Sequence, residues 1–127
     1  MAAYSDTPTL AAWNALVEAV DTVGGLRLEY GTYYGDGTYG TSARRVLTFS
    51  GRPLWVFIKK TAMNNMDYEN VTVASGGTIA TVKSYANSGA VLFAWGTNSL
   101  TIYGSSNDVY QLNQSSMWYF YIAVVQT

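Results

Sequence analysis

The sequence predicts an all-β protein, an antiparallel β-sandwich or jelly-roll relative preceded by one short N-terminal α-helix. Three observations carry this. From Leu26 onward apolar residues recur at a period of two, the β-rich runs are short and end in Gly, Pro or Asn turn signals, and no helical pattern separates them. At 127 residues the chain is long enough for one real core. It divides into residues 1–25, an N-terminal helix open to use as a trimerisation segment, and residues 26–127, the β-sandwich domain.

The helix comes first. Asp6 or Thr7 caps it, Pro8 suits its first turn, and Gly24-Gly25 ends it. Leu10, Trp13, Val17 and Val20 follow at spacings of three, four and three, which draws one apolar stripe. Two uses of the stripe stay open. The helix lies on its own sheet, or it bundles with copies of itself, because two heptads are too few to hold an oligomer without further packing.

The strands follow. Leu26, Leu28 and Tyr30 alternate with Arg27 and Glu29, which predicts a first strand with the apolar set buried and the charged set wet. "VLTFSGRPLWVFIKK" reads as a strand over Val46 to Ser50, a break at Gly51-Arg52-Pro53, and a strand over Leu54 to Lys59. "NVTVASGGTIATVKSY" predicts a hairpin around Gly76-Gly77, and "AVLFAWGTNSLTIY" another around Gly96-Thr97-Asn98. "MWYFYIAVV" reads as a central strand buried on both sides. Two connections are long, Thr61 to Asn70 and Gly104 to Ser116.

Composition narrows the function classes. Charged residues make up 12% of the chain, about half the usual share, and the net charge is -1, a balance that favours a surface partly covered by another chain. Seven basic against eight acidic residues make no electrostatic footprint for nucleic acid. The absence of cysteine removes disulfides and thiol chemistry, and the absence of histidine removes the commonest general base and metal ligand. The N-terminus lacks the pattern of a secretory signal and no stretch approaches a membrane span, so a soluble protein made in the cytoplasm, without membrane insertion, is expected.

Candidate chemistry is sparse. Asp36, Asp67, Glu69 and Asp108 are carboxylates in loop settings, and a glycosidase would need two of them facing one bond. Isolated loop aspartates more often form turns, so catalysis ranks third and no catalytic residue is assigned. The glycines around Asp36 lack the alternating ligands of a calcium loop and the lysine of a phosphate loop, so no metal or cofactor is expected and Tyr34 to Thr38 reads as a tight turn. Arg44 and Arg45, as neighbours on a strand, point to opposite faces and form no joint clamp.

Trp55, Trp95 and Trp118, with eleven tyrosines, offer core packing or a sugar-stacking surface. "MNNMDYEN" adds loop amides and a carboxylate. The ligand-binding candidates are Asn64, Asn65, Asp67, Tyr68 and Asn107, all in the long loops, since loops on a rigid sandwich carry variable recognition. The sequons Asn70-Val71-Thr72 and Asn113-Gln114-Ser115 are chance matches without a secretory signal.

"GTYYGDGTYG", "VLTFSGRPLWVFI" and "LTIYGSSNDVYQLNQSSMWYFYIAVV" together resemble the C-terminal, receptor-binding domain of phage and prophage tail-fibre proteins of gut Firmicutes. The resemblance runs from about Leu26 to the end. It is carried by Gly31, Tyr33, Gly35, Asp36, Gly37, Tyr39, Gly40, Thr48, Phe49, Arg52, Pro53, Gln111, Leu112, Asn113, Tyr119, Tyr121, Ile122 and Ala123. The strand layout is also similar to that of H-type lectins, six-stranded sandwiches that trimerise and bind sugars. The resemblance implies a non-enzymatic virion tail component, a homotrimer that meets a bacterial surface glycan or protein and other virion proteins. A purely structural virion or assembly protein is the second reading, and a small glycan-processing enzyme the third.

Overall fold

The computed structural model describes Ala11, Asn14, Ala15 and residues 25–61, 69–85 and 87–127. Eight strands account for most of that: β1 Leu26–Tyr34, β2 Arg45–Thr48, β3 Arg52–Lys60, β4 Asn70–Ala74, β5 Ile79–Ser84, β6 Asn87–Trp95, β7 Ser99–Tyr103 and β8 Trp118–Gln126. They form two four-stranded antiparallel sheets, ordered β1-β8-β3-β4 and β2-β7-β6-β5. The all-β reading holds among the described residues. Of the predicted helix only Ala11, Asn14 and Ala15 are described, and its stripe, Leu10, Trp13, Val17 and Val20, lies outside them.

The core fills the space between the sheets. Val56, Ile58, Val71, Val73, Tyr119, Ala123 and Val125 come from one sheet, and Leu47, Val82, Val91, Phe93, Leu100 and Ile102 from the other. Each Val, Leu, Ile or Phe among them contributes about 1.5–3 kcal/mol by leaving water. Period-two alternation therefore placed most strands correctly.

In β1 it placed the wrong face inward. Leu28 and Tyr30 are 66% and 84% exposed, whereas Tyr33, on the opposite parity, is buried. Tyr33 stacks on Tyr119 with centroids 5.1 Å apart, and Gly31 leaves room for the Tyr121 side chain crossing it. Arg27 and Glu29 share that inward parity without entering the core, because β2 ends at Thr48. There they meet the next turn instead: Arg27 donates to the Ser50 hydroxyl and Glu29 accepts the Ser50 amide at 3.0 Å.

Three further expectations change. Gly76-Gly77 makes a real turn, with the Gly77 amide 2.9 Å from the Ala74 carbonyl, but β4 and β5 belong to different sheets, so it is a crossover and not a hairpin. Pro53 lies inside β3 rather than in the break, which is Phe49 to Gly51. Proline is tolerated there because a bulge falls between Pro53 and Trp55 and pairing with β4 starts only at Trp55. Strand β8 is central, yet only its inner set, Tyr119, Ala123 and Val125, is buried; Phe120, Ile122 and Val124 are half-buried and Trp118 is exposed. The Gly96 hairpin joins β6 to β7 as expected, and the turn between β5 and β6, where Tyr85 takes a φ of 54°, carried no Gly or Asn-Gly signal.

Candidate functional site

Strand directions put the connections 35–44, 61–69, 85–86 and 104–117 at one end of the sandwich and the three-to-four-residue turns 49–51, 75–78 and 96–98 at the other. Strand β1 starts and β8 finishes at the turn end, where the Thr127 amide bonds to the Gly25 carbonyl at 2.7 Å. The strand ends that the long connections join thus all stand at the loop end, farthest from the point where the chain enters the sandwich.

Two segments far apart in sequence build this end together. Residues 35–37 continue the pairing of β1 with the chain before β8: the Gly35 amide donates to Met117 O at 2.7 Å and the Gly37 amide to Asn113 O at 2.8 Å. Gly35 is required by proximity, since a Cβ there would sit 2.0 Å from Gln114 O, while Gly37 supplies a φ of 80°. Asn113, buried, then ties the turn. Its Nδ2 donates to Asp36 Oδ1 at 2.6 Å and to Thr38 O at 2.9 Å, and its Oδ1 accepts from Arg45 at 2.9 Å.

Gln111 does the same one step along. Its Oε1 accepts the amides of Gly40 at 2.7 Å and Ser105 at 3.1 Å, and its Nε2 donates to Ala43 O at 2.6 Å. Leu112 between them is fully buried with a φ of 56°, and its carbonyl accepts the Tyr33 hydroxyl at 2.7 Å. Burial pushes the Tyr33 and Tyr119 phenols up, so both stay protonated and serve as hydrogen-bonding groups; Tyr119 accepts the Gln114 amide at 3.0 Å.

Arg44, the last residue of the connection, and Arg45, the first of β2, stack on different rings. The Arg45 guanidinium lies 4.5 Å over the Tyr33 ring and reaches Tyr34 O at 3.0 Å, with Asp36 Oδ2 at 3.9 Å. Arg44 is exposed, 5.2 Å over the Tyr103 ring. With Thr38, Tyr39, Ser42 and Ala43 it lines a shallow open hollow on the tip. Tyr39 is 52% exposed, and Tyr34 and Trp118, in contact at 4.9 Å, flank the same end on the other sheet.

A buried ion pair underlies the 61–69 connection. Lys60 and Glu69, with side chains 8% and 3% exposed, pair directly; Glu69 also accepts the Ser84 hydroxyl at 2.9 Å, and Lys60 reaches Gln114 at 3.4 Å. Glu69 is therefore a structural carboxylate. Asp36 is held below the usual carboxylate range by the Thr38 hydroxyl and amide, then by Asn113. Asp36 therefore lacks the raised pKa of a general acid. Among the described residues no three His, Cys, Asp or Glu side chains converge as a metal site.

Of the sequence candidates, Asn64, Asn65, Asp67 and Tyr68 lie outside the described residues. Asn107 stands on the loop end, but its side-chain oxygen accepts the Tyr110 amide at 2.9 Å and so fixes its own turn. Sequence reasoning missed Tyr39 and Arg44 as an exposed pair; the signal was their place in the glycine-rich connection between β1 and β2. No protein-family model, curated protein or solved structure matches the chain.

Proposed function

We propose that the chain is a non-enzymatic phage or prophage tail-fibre-like protein, a homotrimeric virion appendage whose loop end binds a bacterial surface glycan or surface protein. The observation that supports it most is the segregation of all long connections to the end opposite the entry of the chain, with Tyr39, Arg44, Tyr34 and Trp118 exposed there or beside it. An aromatic ring with a nearby guanidinium and hydroxyls is the chemistry that stacks on a sugar face and bonds its edge. The low charge supports self-association. The resemblance to H-type lectins is one of layout alone, since those have six strands and the described residues form eight.

A second reading, a structural virion protein without a receptor, is favoured by one observation: Asn107, Gln111 and Asn113 spend their amides on the protein's own backbone and side chains. Binding of the full chain to intact Gram-positive cells and to a glycan array separates the two. Receptor binding predicts that Tyr39→Ala and Arg44→Ala each weaken attachment about tenfold, the effect of one interface anchor. Attachment that is absent, or indifferent to both changes, transfers the assignment to the structural reading. Light scattering at micromolar concentration checks the trimer.

A further inference from the structure

The outer face of the sheet β1-β8-β3-β4 is apolar where an outer face should be polar. Leu28 and Tyr30 of β1, Phe120, Ile122 and Val124 of β8, and Trp55 and Phe57 of β3 share it: the ladder pairs Leu28 with Val124, Tyr30 with Ile122, Trp55 with Val124 and Phe57 with Ile122. It turns polar at β4, with Asn70 and Thr72. Among the described residues no element lies over it.

We propose that residues 7–23 of the same chain form an amphipathic helix that lies along this face, antiparallel to β1. Width, length, connection and stripe all agree. Strands β1, β8 and β3 span about 10 Å from centre to centre, the diameter of one helix. Seventeen residues make a helix of about 25 Å, close to the roughly 30 Å of nine-residue strands. The link is Gly24-Gly25, and Gly25 has a φ of 63° with its carbonyl held by Thr127, a left-handed residue of the kind that follows a helix C-terminus. A helix so tethered cannot reach the inner face, which the second sheet occupies, and its high effective concentration favours its own sheet over a neighbour's.

The stripe also decides between a coiled coil and a sheet. At 100° per residue, Val23, Leu16, Val20, Trp13, Val17 and Leu10 fill an arc of about 140°, wider than a two-position coiled-coil seam and suited to a broad surface. Asn14, Glu18 and Asp21 fall outside that arc. So do Ala11 and Ala15, and the three described residues of the segment, Ala11, Asn14 and Ala15, are all exposed.

The chain has no cysteine, so an engineered pair reports without background. In the full chain, Val17→Cys with Ile122→Cys, treated with a short bismaleimide, should give a cross-link within one chain, about tenfold more than Val17→Cys with Ala94→Cys on the outer face of the other sheet. Cross-links between chains overturn the proposal in favour of helices shared among copies; equal or no cross-linking of both pairs overturns it outright. Hydrogen exchange on the unmodified protein needs no variant. Amides 10–23 should be protected to the same degree at every protein concentration, and free exchange, or protection that disappears on dilution, overturns the proposal.

Discussion

The two ends of the sandwich are built by different means. At the turn end the backbone mostly satisfies itself: Gly77 bonds to Ala74, Gly96 to Ser99, Phe49 to Asn98 and Thr127 to Gly25, all by main-chain groups, while the Ser50 amide goes to the Glu29 carboxylate. At the loop end side chains reach across to distant backbone, as when Asn113 and Gln111 hold residues 36–43. A connection of three or four residues closes one turn and leaves few polar groups over, whereas ten or more residues expose amides that only another segment can engage. The order of the loop end therefore depends on a few buried polar side chains, and the turn end tolerates their loss.

The largest effect should come from the ion pair beneath the loop end. Glu69→Gln takes the carboxylate from a buried ammonium and should cost about 3–5 kcal/mol in urea unfolding. Replacing both partners, Lys60→Met with Glu69→Leu, should recover most of that loss, because the desolvation of two charges disappears with them. A single variant as stable as the parent would show that the pair is open to water. Asn113→Ala comes next, at about 1.5–3 kcal/mol for buried bonds to charged groups. Hydrogen exchange should quicken at residues 36–40 and leave β6 and β7 unchanged; uniform quickening would erase the contrast between the ends.

Legibility in the sequence divides along the same line. The β6-β7 hairpin follows from turn chemistry and the period of two, which are local. Nothing local singled out Gln111 and Asn113 as loop ties, because their partners lie some 70 residues away and no local pattern encodes such a pair. The inverted face of β1 has another cause. Alternation assigns the more apolar set to the interior, which fails where the outer face is apolar too, and Tyr33 and Gly31 then decide the parity. The Gly76-Gly77 turn was legible as a turn, while the sheet that each flank joins depends on partners elsewhere in the chain.

A smaller effect is expected at the turn end. Trp95 Nε1 donates to Gly77 O at 2.7 Å, the one side-chain bond there that links the β4-β5 crossover to β6. Trp95→Phe keeps an aromatic ring and removes the donor, so about 1 kcal/mol should be lost. A loss above that for Asn113→Ala would reverse the comparison.

The smallest effect concerns pH. The Asp36 carboxyl is held below its usual value of 3.8 chiefly by the Thr38 hydroxyl, then by the Thr38 amide and Asn113, with Arg45 adding to it. A depressed folded pKa stabilises the fold above the unfolded value, and that stabilisation disappears as pH falls through the folded one. The sensitive window therefore lies below about pH 4. Because the side chain is 60% exposed, solvent screens most of the effect, leaving about 0.5 kcal/mol or less. Asp36→Asn can still accept the Thr38 and Asn113 bonds without titrating. The difference in urea midpoint between parent and Asp36→Asn should therefore be constant from pH 7 to pH 5 and shrink toward pH 2.5, since the two proteins differ at no other carboxylate. A difference that grows on acidification would mean that Asp36 is protonated more readily in the folded protein, and that the loop end is held by neutral bonds alone.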